Sequence, residues 1–244
     1  LRYPASVAAA CEGAYAVVNA TGTDVSSGNQ TFDAVITFGT ENMAKAARAA
    51  KAQLFLMISG LGAGDVESSA AAVAKGQAEI AAAKAFPGTI VLRPSVVFGS
   101  GDRFFNKMAS MARFSPVLPL IGGGAVPCQP VFVGDVAEAV ARLIDQGQAN
   151  GKTYELGGPE VATMREITQF TLDTVYRKRV LLLLPWSISK LIGALASWMP
   201  GSPLTADQVE LLKVPNVVGP KALAEGRDLA GLGERSKLIG EIAR

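Results

Sequence analysis

The 244-residue sequence contains no histidine at all. This absence excludes histidine-based acid/base catalysis and any serine–histidine nucleophile pair. It also removes the commonest protein ligand of transition metals. Chemistry that depends on an imidazole is therefore excluded for this chain.

Cysteine is scarce, and charge is low and balanced. Cys11 and Cys128 are isolated and form no Cys-x-x-Cys or zinc pattern, which favours a reducing compartment. Charged residues make up 18% of the chain and the net charge is +2. A nucleic-acid partner requires a dense basic face, so none is expected. With 49% hydrophobic residues, the chain can form one large α/β domain or a domain with a smaller lobe.

No apolar run reaches the ~20 residues that a membrane span requires. The nearest candidate, "RVLLLLPWSISKLIGALASWMPG" (Arg179–Gly201), is interrupted by Pro185 and Lys190. Trp186 and Trp198 bracket a helical stripe within it. Two interpretations stay open: a helix packed on its own lobe, or a helix at the membrane–water boundary that contacts lipid. The stripe consists of Ile188, Leu191, Ile192, Leu195 and Met199.

What the sequence does contain is an alternation of helices and short apolar strands. Helical spacing predicts helices over 4–12, 32–50 and 68–85, the last with Ser68 or Ser69 as its N-cap. Apolar runs predict buried strands over 14–20, 54–59 and 89–94. This order predicts a parallel sheet covered by helices on both faces.

After Pro94 the pattern is less regular. We predict a helix over 102–113, a proline- and glycine-rich loop over 114–131 and a helix whose N-cap is Asp135. The 122–124 glycine run is interpreted as a flexible turn because its context does not fit a phosphate loop. A strand in "TYELGG" and a helix over 163–175 follow, with Thr163 and Glu166 at capping-box spacing. We divide the chain into a sheet-forming part, 1–101, and a smaller α/β lobe interleaved with it, 102–244.

The order of several segments resembles a known family. The segments are "VVNATG", "MISGLGA", a helix with Lys75, "LRPSVVFGSGDRFFNKMASMARFSPVLPLIGGG", "QPVFVGDVAEAV" and "YELGGPEVATMREI". Together they resemble the extended, atypical branch of the short-chain dehydrogenase/reductase superfamily. The stretch Arg93–Gly124 is most similar to the nucleotide-binding accessory subunit of respiratory complex I and its bacterial relatives. The resemblance covers almost the whole chain.

This resemblance implies a Rossmann-like, doubly wound sheet that holds NADP(H), with NAD(H) as the other possibility. Ligands of such sheets bind outside the carboxyl ends of the strands. Lys75 is implied to reach the nicotinamide ribose, and the residues after the third strand lie near the nicotinamide. The implied binding positions are Asn19, Ala20, Thr21, Gly22, Ser59, Gly60, Lys75, Pro94, Ser95, Val96 and Val97.

Two departures from the family pattern bear on function. The family's glycine-rich pyrophosphate turn does not precede the "VVNATG" strand, and we expect that ~30–60 residues of sheet, one or two βαβ units, lie upstream. The alternative is a variant without the motif. The family's catalytic tyrosine stands four residues before its lysine, and counting back from Lys75 gives Ala71. Alanine has no proton to donate, so we predict no catalytic residue. Lys75 either binds the cofactor or forms an ion pair with Glu79.

The expected function follows from the resemblance and from Ala71. It is a non-catalytic, NADP(H)-binding accessory subunit with a structural or assembly role in a respiratory NADH:quinone oxidoreductase. Such a subunit is peripheral on the inner membrane, on the cytoplasmic side of a bacterium or the matrix side of a mitochondrion. Its partners are other subunits of that complex. Two alternatives share the fold: a free-standing oxidoreductase or epimerase with another proton donor, and a regulator that senses NADP(H).

Overall fold

The computed structural model describes residues 3–23, 26, 28–196, 205–234 and 236–242. Its main sheet has four parallel strands in the order β1-β2-β3-β8. The strands are β1 (Ala16–Asn19), β2 (Leu54–Ile58), β3 (Ile90–Pro94) and β8 (Thr153–Leu156). The three strands predicted in the first part of the chain are confirmed, and "TYELGG" supplies a fourth, so the C-terminal part of the chain contributes a strand to the same sheet.

Helices precede or connect these strands. The helix predicted over 32–50 is present, but it opens with a π-helical segment, Asp33–Thr37. Ser69 caps the next helix, because its side chain accepts a hydrogen bond from the Ala72 N–H. The three helices are α1 (Pro4–Cys11), α2 (Phe38–Ala49) and α3 (Ala70–Ala85).

The sheet is covered on both faces, as a doubly wound fold requires. Successive residues of a strand point to opposite faces. Phe55 and Met57 of β2 therefore pack with alanines of α2 and α3 in one core. Leu54 and Leu56 pack on the other face against the helix α5 (Val133–Asp145). This arrangement confirms the predicted Rossmann-like α/β class.

Three strand pairs lie outside the main sheet. They are β4 (Val97–Phe98) with β7 (Val131–Phe132), β5 (Val117–Ile121) with β10 (Val180–Leu184), and β6 (Pro127–Cys128) with β9 (Ala162–Thr163). The prediction of a loop over 114–131 was therefore wrong. Pro119 suggests a loop, but in a two-stranded sheet β5 has an open edge, where a residue without an N–H is tolerated.

The remaining helices are α4 (Phe105–Phe114), α6 (Met164–Thr174), α7 (Trp186–Ala196), α8 (Ala206–Leu211), α9 (Pro220–Ala224) and α10 (Ile239–Ile242). The Thr163–Glu166 capping box of α6 is confirmed. The prediction that Asp135 caps α5 was wrong, since α5 begins at Val133. The buried Asp135 carboxylate instead accepts a hydrogen bond from the Lys237 N–H, at 2.8 Å. The 122–124 glycine run forms a 3₁₀ turn with all three φ angles positive.

Candidate functional site

The candidate site lies at the carboxyl edge of the main sheet. Because β1, β2, β3 and β8 run parallel, the segments that follow them all emerge at the same edge. The predicted binding residues 19–22, 59–60 and 94–97 belong to three of these segments. The fold therefore collects them along one edge although they are far apart in sequence.

Asn19 shapes the turn after β1. Its buried side chain donates through Nδ2 to Thr40 Oγ1 at 2.8 Å. Its Oδ1 accepts from the Thr21 N–H at 3.1 Å and from Thr21 Oγ1 at 2.5 Å. The Asn19 amide thus ties the end of β1 to Thr40 of α2 and to Thr21 in the turn that follows. Its role in the structure is to hold the turn in shape.

Lys75 reaches the segment after β2. A Cβ atom placed on Gly60 would lie 2.8 Å from Lys75 Nζ and 3.8 Å from the Pro94 carbonyl oxygen. The missing side chain of Gly60 therefore makes room for the ammonium group at the carboxyl edge. The structure thus brings together Gly60, Lys75 and Pro94, three of the predicted binding residues. A lysine at this edge suits a polar ligand that lies across the strand ends.

Ser59 belongs to a polar cluster behind Lys75. The buried Ser59 hydroxyl donates to Glu79 Oε1 at 2.5 Å. Arg93 Nε and Nη2 donate to the two Glu79 oxygens at 3.0 and 2.6 Å. The hydrogen bond with Glu79 raises the pKa of Arg93. The carboxylate that was considered only as an ion-pair partner of Lys75 is thus held by Ser59, directly after β2, and by Arg93 of β3.

Ser95 connects the site to the C-terminal part of the chain. Its buried hydroxyl donates to Asn216 Oδ1 at 2.5 Å, and Cys128 Sγ lies 3.8 Å away. Val96 and Val97 enter the short sheet, where the Val96 carbonyl accepts from the Val131 N–H. Burial raises the pKa of the Cys128 thiol, so this sulfur is protonated at neutral pH. Sequence analysis missed Asn216, which no local pattern marks.

At Ala71, where the family pattern places tyrosine, the structure shows a contact with α8. The Ala71 N–H donates to Asp207 Oδ1 at 3.4 Å, and Ser69 Oγ donates to Asp207 Oδ2 at 3.0 Å. Ser68 Oγ donates to Glu210 Oε2 at 3.0 Å. Carboxylates are favoured at a helix N-terminus, where backbone N–H groups lack helical partners. The amino end of α3 is thus closed by two acidic side chains of α8.

Two tyrosines near the main sheet lie toward its opposite edge. Tyr15 directly precedes β1, and the Tyr154 hydroxyl accepts from Asn150, which precedes β8. Tyr176 follows α6 and is exposed. The arrangement supplies a cation, Lys75, and backbone groups at the strand ends, which suit ribose and nicotinamide.

A second feature is an exposed apolar surface, the α7 face, formed by Ile188, Leu191 and Ile192. These side chains are 47%, 61% and 42% exposed. The opposite side of α7 is buried and carries the small residues Ser189 and Gly193. Gly193 lets α7 approach α8 closely, since a Cβ there would lie 2.9 Å from the Ala206 nitrogen. The helix therefore turns its large apolar residues outward.

The two tryptophans that were predicted to bracket this helix can be compared with the structure only at Trp186. Trp186 is half-buried and packs over Gly122, whose missing side chain leaves room for the indole. Trp198, Met199 and the Leu195 side chain lie outside the described residues. The exposed surface is thus carried by aliphatic side chains. Among the described residues, no helix combines the length and apolar character needed to cross a bilayer.

Comparisons with known proteins place these features in a family. Residues 1–87 match a family model described as NAD(P)H-binding. Over 179 residues, 69% of the chain, it is 36% identical to NADH dehydrogenase [ubiquinone] 1 alpha subcomplex subunit 9, mitochondrial, of Arabidopsis thaliana. It is 29% identical over 215 residues, 87% of the chain, to the protein of the same name from Mus musculus.

These matches span 44% of the Arabidopsis protein and 57% of the mouse protein, so the chain spans about half the length of these relatives. The fold is similar to that of human epimerase family protein SDR39U1, solved with NADPH, at a TM-score of 0.72 and 18% identity. That match covers 98% of this chain and 85% of the human one. The chain is thus a homologue of the alpha subcomplex subunit 9 proteins of NADH dehydrogenase, with an NAD(P)H-binding domain of Rossmann-like fold.

Proposed function

We propose that this protein is a non-catalytic, NADP(H)-binding accessory subunit of a respiratory NADH:quinone oxidoreductase. The observation that carries the proposal is at the amino end of α3. Ala71 stands in place of the proton-donating tyrosine, and its N–H is hydrogen-bonded to Asp207 of α8. Lys75, one turn further along α3, remains at the carboxyl edge of the sheet. Lys75 is a group that can hold a dinucleotide, and the methyl group of Ala71 cannot donate the proton that accompanies hydride transfer.

The proposed cofactor surface follows the three strand ends. Asn19–Gly22, Ser59–Gly60 and Pro94–Val97 line it, and Lys75 contacts the nicotinamide ribose. The bound nucleotide stabilises the fold by linkage, because it binds only the folded state. A ligand at 100 times its dissociation constant adds about 2.7 kcal/mol to the free energy of unfolding. Relatives named as complex I subunits support an assembly role.

Cofactor retention and turnover test this proposal together. The full protein is purified, its nucleotide is released by denaturation and identified by chromatography, and turnover is measured with carbonyl and quinone acceptors. We expect bound NADP(H) and no turnover. The Lys75→Met variant is the control, since it should lose nucleotide. Turnover that is present in the wild type and lost in Lys75→Met would contradict the proposal, whereas equal turnover in both belongs to a contaminating enzyme.

We further propose that the α7 face docks the subunit at the membrane surface. Its three aliphatic side chains are exposed on one side of the helix, which is the geometry of an interfacial helix. Arg177 and Lys178, just before β10, are exposed as well. Anionic lipid attracts such residues by about 1 kcal/mol each near the surface. The side of the membrane is expected to be the matrix side or the bacterial cytoplasmic side.

Vesicle flotation tests the docking surface. We expect the wild type to float with vesicles that contain anionic lipid, and the double variant Ile188→Ser/Leu191→Ser to remain in the dense fraction. Ile80→Ser is the matched control, because Ile80 is exposed on α3 to a similar degree, 59%. It should float like the wild type. A wild type that binds its complex but no vesicle would contradict the lipid contact.

A further inference from the structure

Glu79 is held by Ser59, which directly follows β2, and by Arg93 of β3. It receives hydrogen bonds from Ser59 Oγ at 2.5 Å and from Arg93 Nε and Nη2 at 3.0 and 2.6 Å. Both charged side chains are largely buried, since Glu79 is 11% and Arg93 21% exposed. The two arginine donors engage both carboxylate oxygens, so the direction of the carboxylate is fixed.

This geometry matters because Glu79 and Lys75 are four residues apart on α3. Residues at this spacing lie on the same side of a helix and pair when their charges are opposite. Lys75 Nζ lies at Gly60, close enough that a Cβ there would be 2.8 Å away. Arg93 thus holds the carboxylate that is the natural helical partner of Lys75.

Arg93 forms a close ion pair with this carboxylate, with Nη2 2.6 Å from Glu79 Oε2. Removing the guanidinium would leave the Glu79 carboxylate largely buried and without this ion-pair partner. A carboxylate in such a place strongly favours a nearby positive charge. The ammonium group on the same side of α3 is that of Lys75.

We propose that Arg93 is a positioning residue for the bound nucleotide: by holding Glu79, it keeps the Lys75 ammonium directed to the nucleotide. Arg93 acts through Glu79 and does not itself contact the cofactor. The inference rests on the proposed cofactor role of Lys75. It has one specific consequence: the loss of nucleotide affinity on substituting Arg93 depends on the presence of the Glu79 carboxylate.

Dissociation constants for NADPH, measured by calorimetry on the full protein, test this dependence. We expect Arg93→Gln to weaken binding about tenfold or more, within the range of coupling between contacting residues. Glu79→Gln alone should stay within about threefold of the wild type, because no carboxylate then competes for Lys75. The double variant Arg93→Gln/Glu79→Gln should recover to the same level. A double variant as weak as Arg93→Gln would overturn the proposal and show that the pair only supports the fold.

Arg93→Lys keeps the test decisive if Arg93→Gln does not fold. Lysine retains the charge but not the two-pronged geometry. We expect NADPH affinity within about threefold of the wild type, because Glu79 still has a cation. If Arg93→Lys and Glu79→Gln both fold yet lose affinity, the inference fails. A wild type that binds no NADPH would overturn the proposed function and this inference together; wild-type binding unaffected by Arg93→Gln would overturn the inference alone.

Discussion

Strands β2 and β10 have similar composition and opposite surroundings. β2 is "LFLMI", and its first four residues are buried. β10 is "VLLLL", and Val180, Leu182 and Leu183 are 65%, 50% and 54% exposed. β2 lies between β1 and β3 with helices on both faces, whereas among the described residues β10 pairs with β5 alone. The two strands are equally hydrophobic, but the side chains of β2 are buried and stabilise the fold. Three of those of β10 are exposed and remain available for contacts.

Substituting one large side chain in each strand should separate the two environments most clearly. Phe55 is fully buried and packs against Phe86, with ring centroids 5.9 Å apart. We expect Phe55→Ala to lower the free energy of unfolding by ~3–5 kcal/mol, through lost burial and the cavity left behind. Leu183→Ala should cost less than about 1 kcal/mol, because half of the side chain is already in water. Urea denaturation measures both, and equal losses would contradict the comparison.

The next largest loss of stability is expected when the hydrogen bond between Ser95 and Asn216 is removed. Ser95→Ala removes the hydroxyl that donates to Asn216 Oδ1. We expect a loss of about 1 kcal/mol, since the half-buried Asn216 oxygen then loses its short hydrogen bond and keeps only the weak one from the Cys128 thiol. Ser187→Ala, on the exposed side of α7, is the control and should change stability by no more than about 0.5 kcal/mol. Thermal unfolding measures both variants, and equal melting temperatures for Ser95→Ala and Ser187→Ala would contradict this prediction.

A pH-dependent effect is expected where α7 and α8 meet α3. Lys213, Lys190 and Ser68 bind Glu210 and lower its pKa to about 2, from an ordinary 4.5. Because the folded-state pKa is the lower one, this stabilisation is present above pH 4.5 and is lost as the pH falls toward 2. We expect Glu210→Gln to cost about 1 kcal/mol at pH 7, as the lysines are partly exposed.

Stability measured at several pH values checks this sign. The difference between the wild type and Glu210→Gln should shrink steadily below pH 4.5. A difference that stays constant down to pH 2 would show that Glu210 is not stabilised as a carboxylate. Hydrogen exchange of 186–196 should report the same loss, because Lys190 of α7 pairs with Glu210.

Gly60→Ala should change stability little and nucleotide binding clearly. A Cβ there meets the flexible end of Lys75 and no backbone atom within 3.4 Å. We expect Gly60→Ala to change the free energy of unfolding by less than about 1 kcal/mol. NADPH affinity, followed by calorimetry, should fall because Lys75 is displaced from the strand ends. Unchanged NADPH affinity would show that Lys75 is not part of the binding surface.

Much of the fold was predictable because its signals are local. The apolar runs of β2 and β3, the helical spacing before and after them, and the Ser69 and Thr163 caps act within a few residues. The β5 strand was missed because Pro119 is a loop signal in isolation. Only its pairing with β10, more than fifty residues later, makes it an edge strand.

The candidate site was predictable only in part. The strand ends and Lys75 could be named from the family resemblance. Glu79 and Arg93 left a usable signal: the Lys-x-x-x-Glu spacing on α3, and a charge within the otherwise apolar strand "IVLRP". Asp207 and Asn216 left none, because they reach α3 and Ser95 from more than a hundred residues away. The division of the chain at 101/102 and the binding roles of individual residues stay predictions.

The sequence by itself determined the helices and buried strands of the first hundred residues, and it excluded imidazole chemistry and a tyrosine at position 71. Only the tertiary structure decided where each charged group found its partner. It assigned Glu79 to Arg93, closed the amino end of α3 with Asp207, and left the apolar side of α7 exposed. The physical reason is range. Backbone conformation responds to neighbouring residues, whereas burial and ion pairing depend on which distant segments the fold brings into contact.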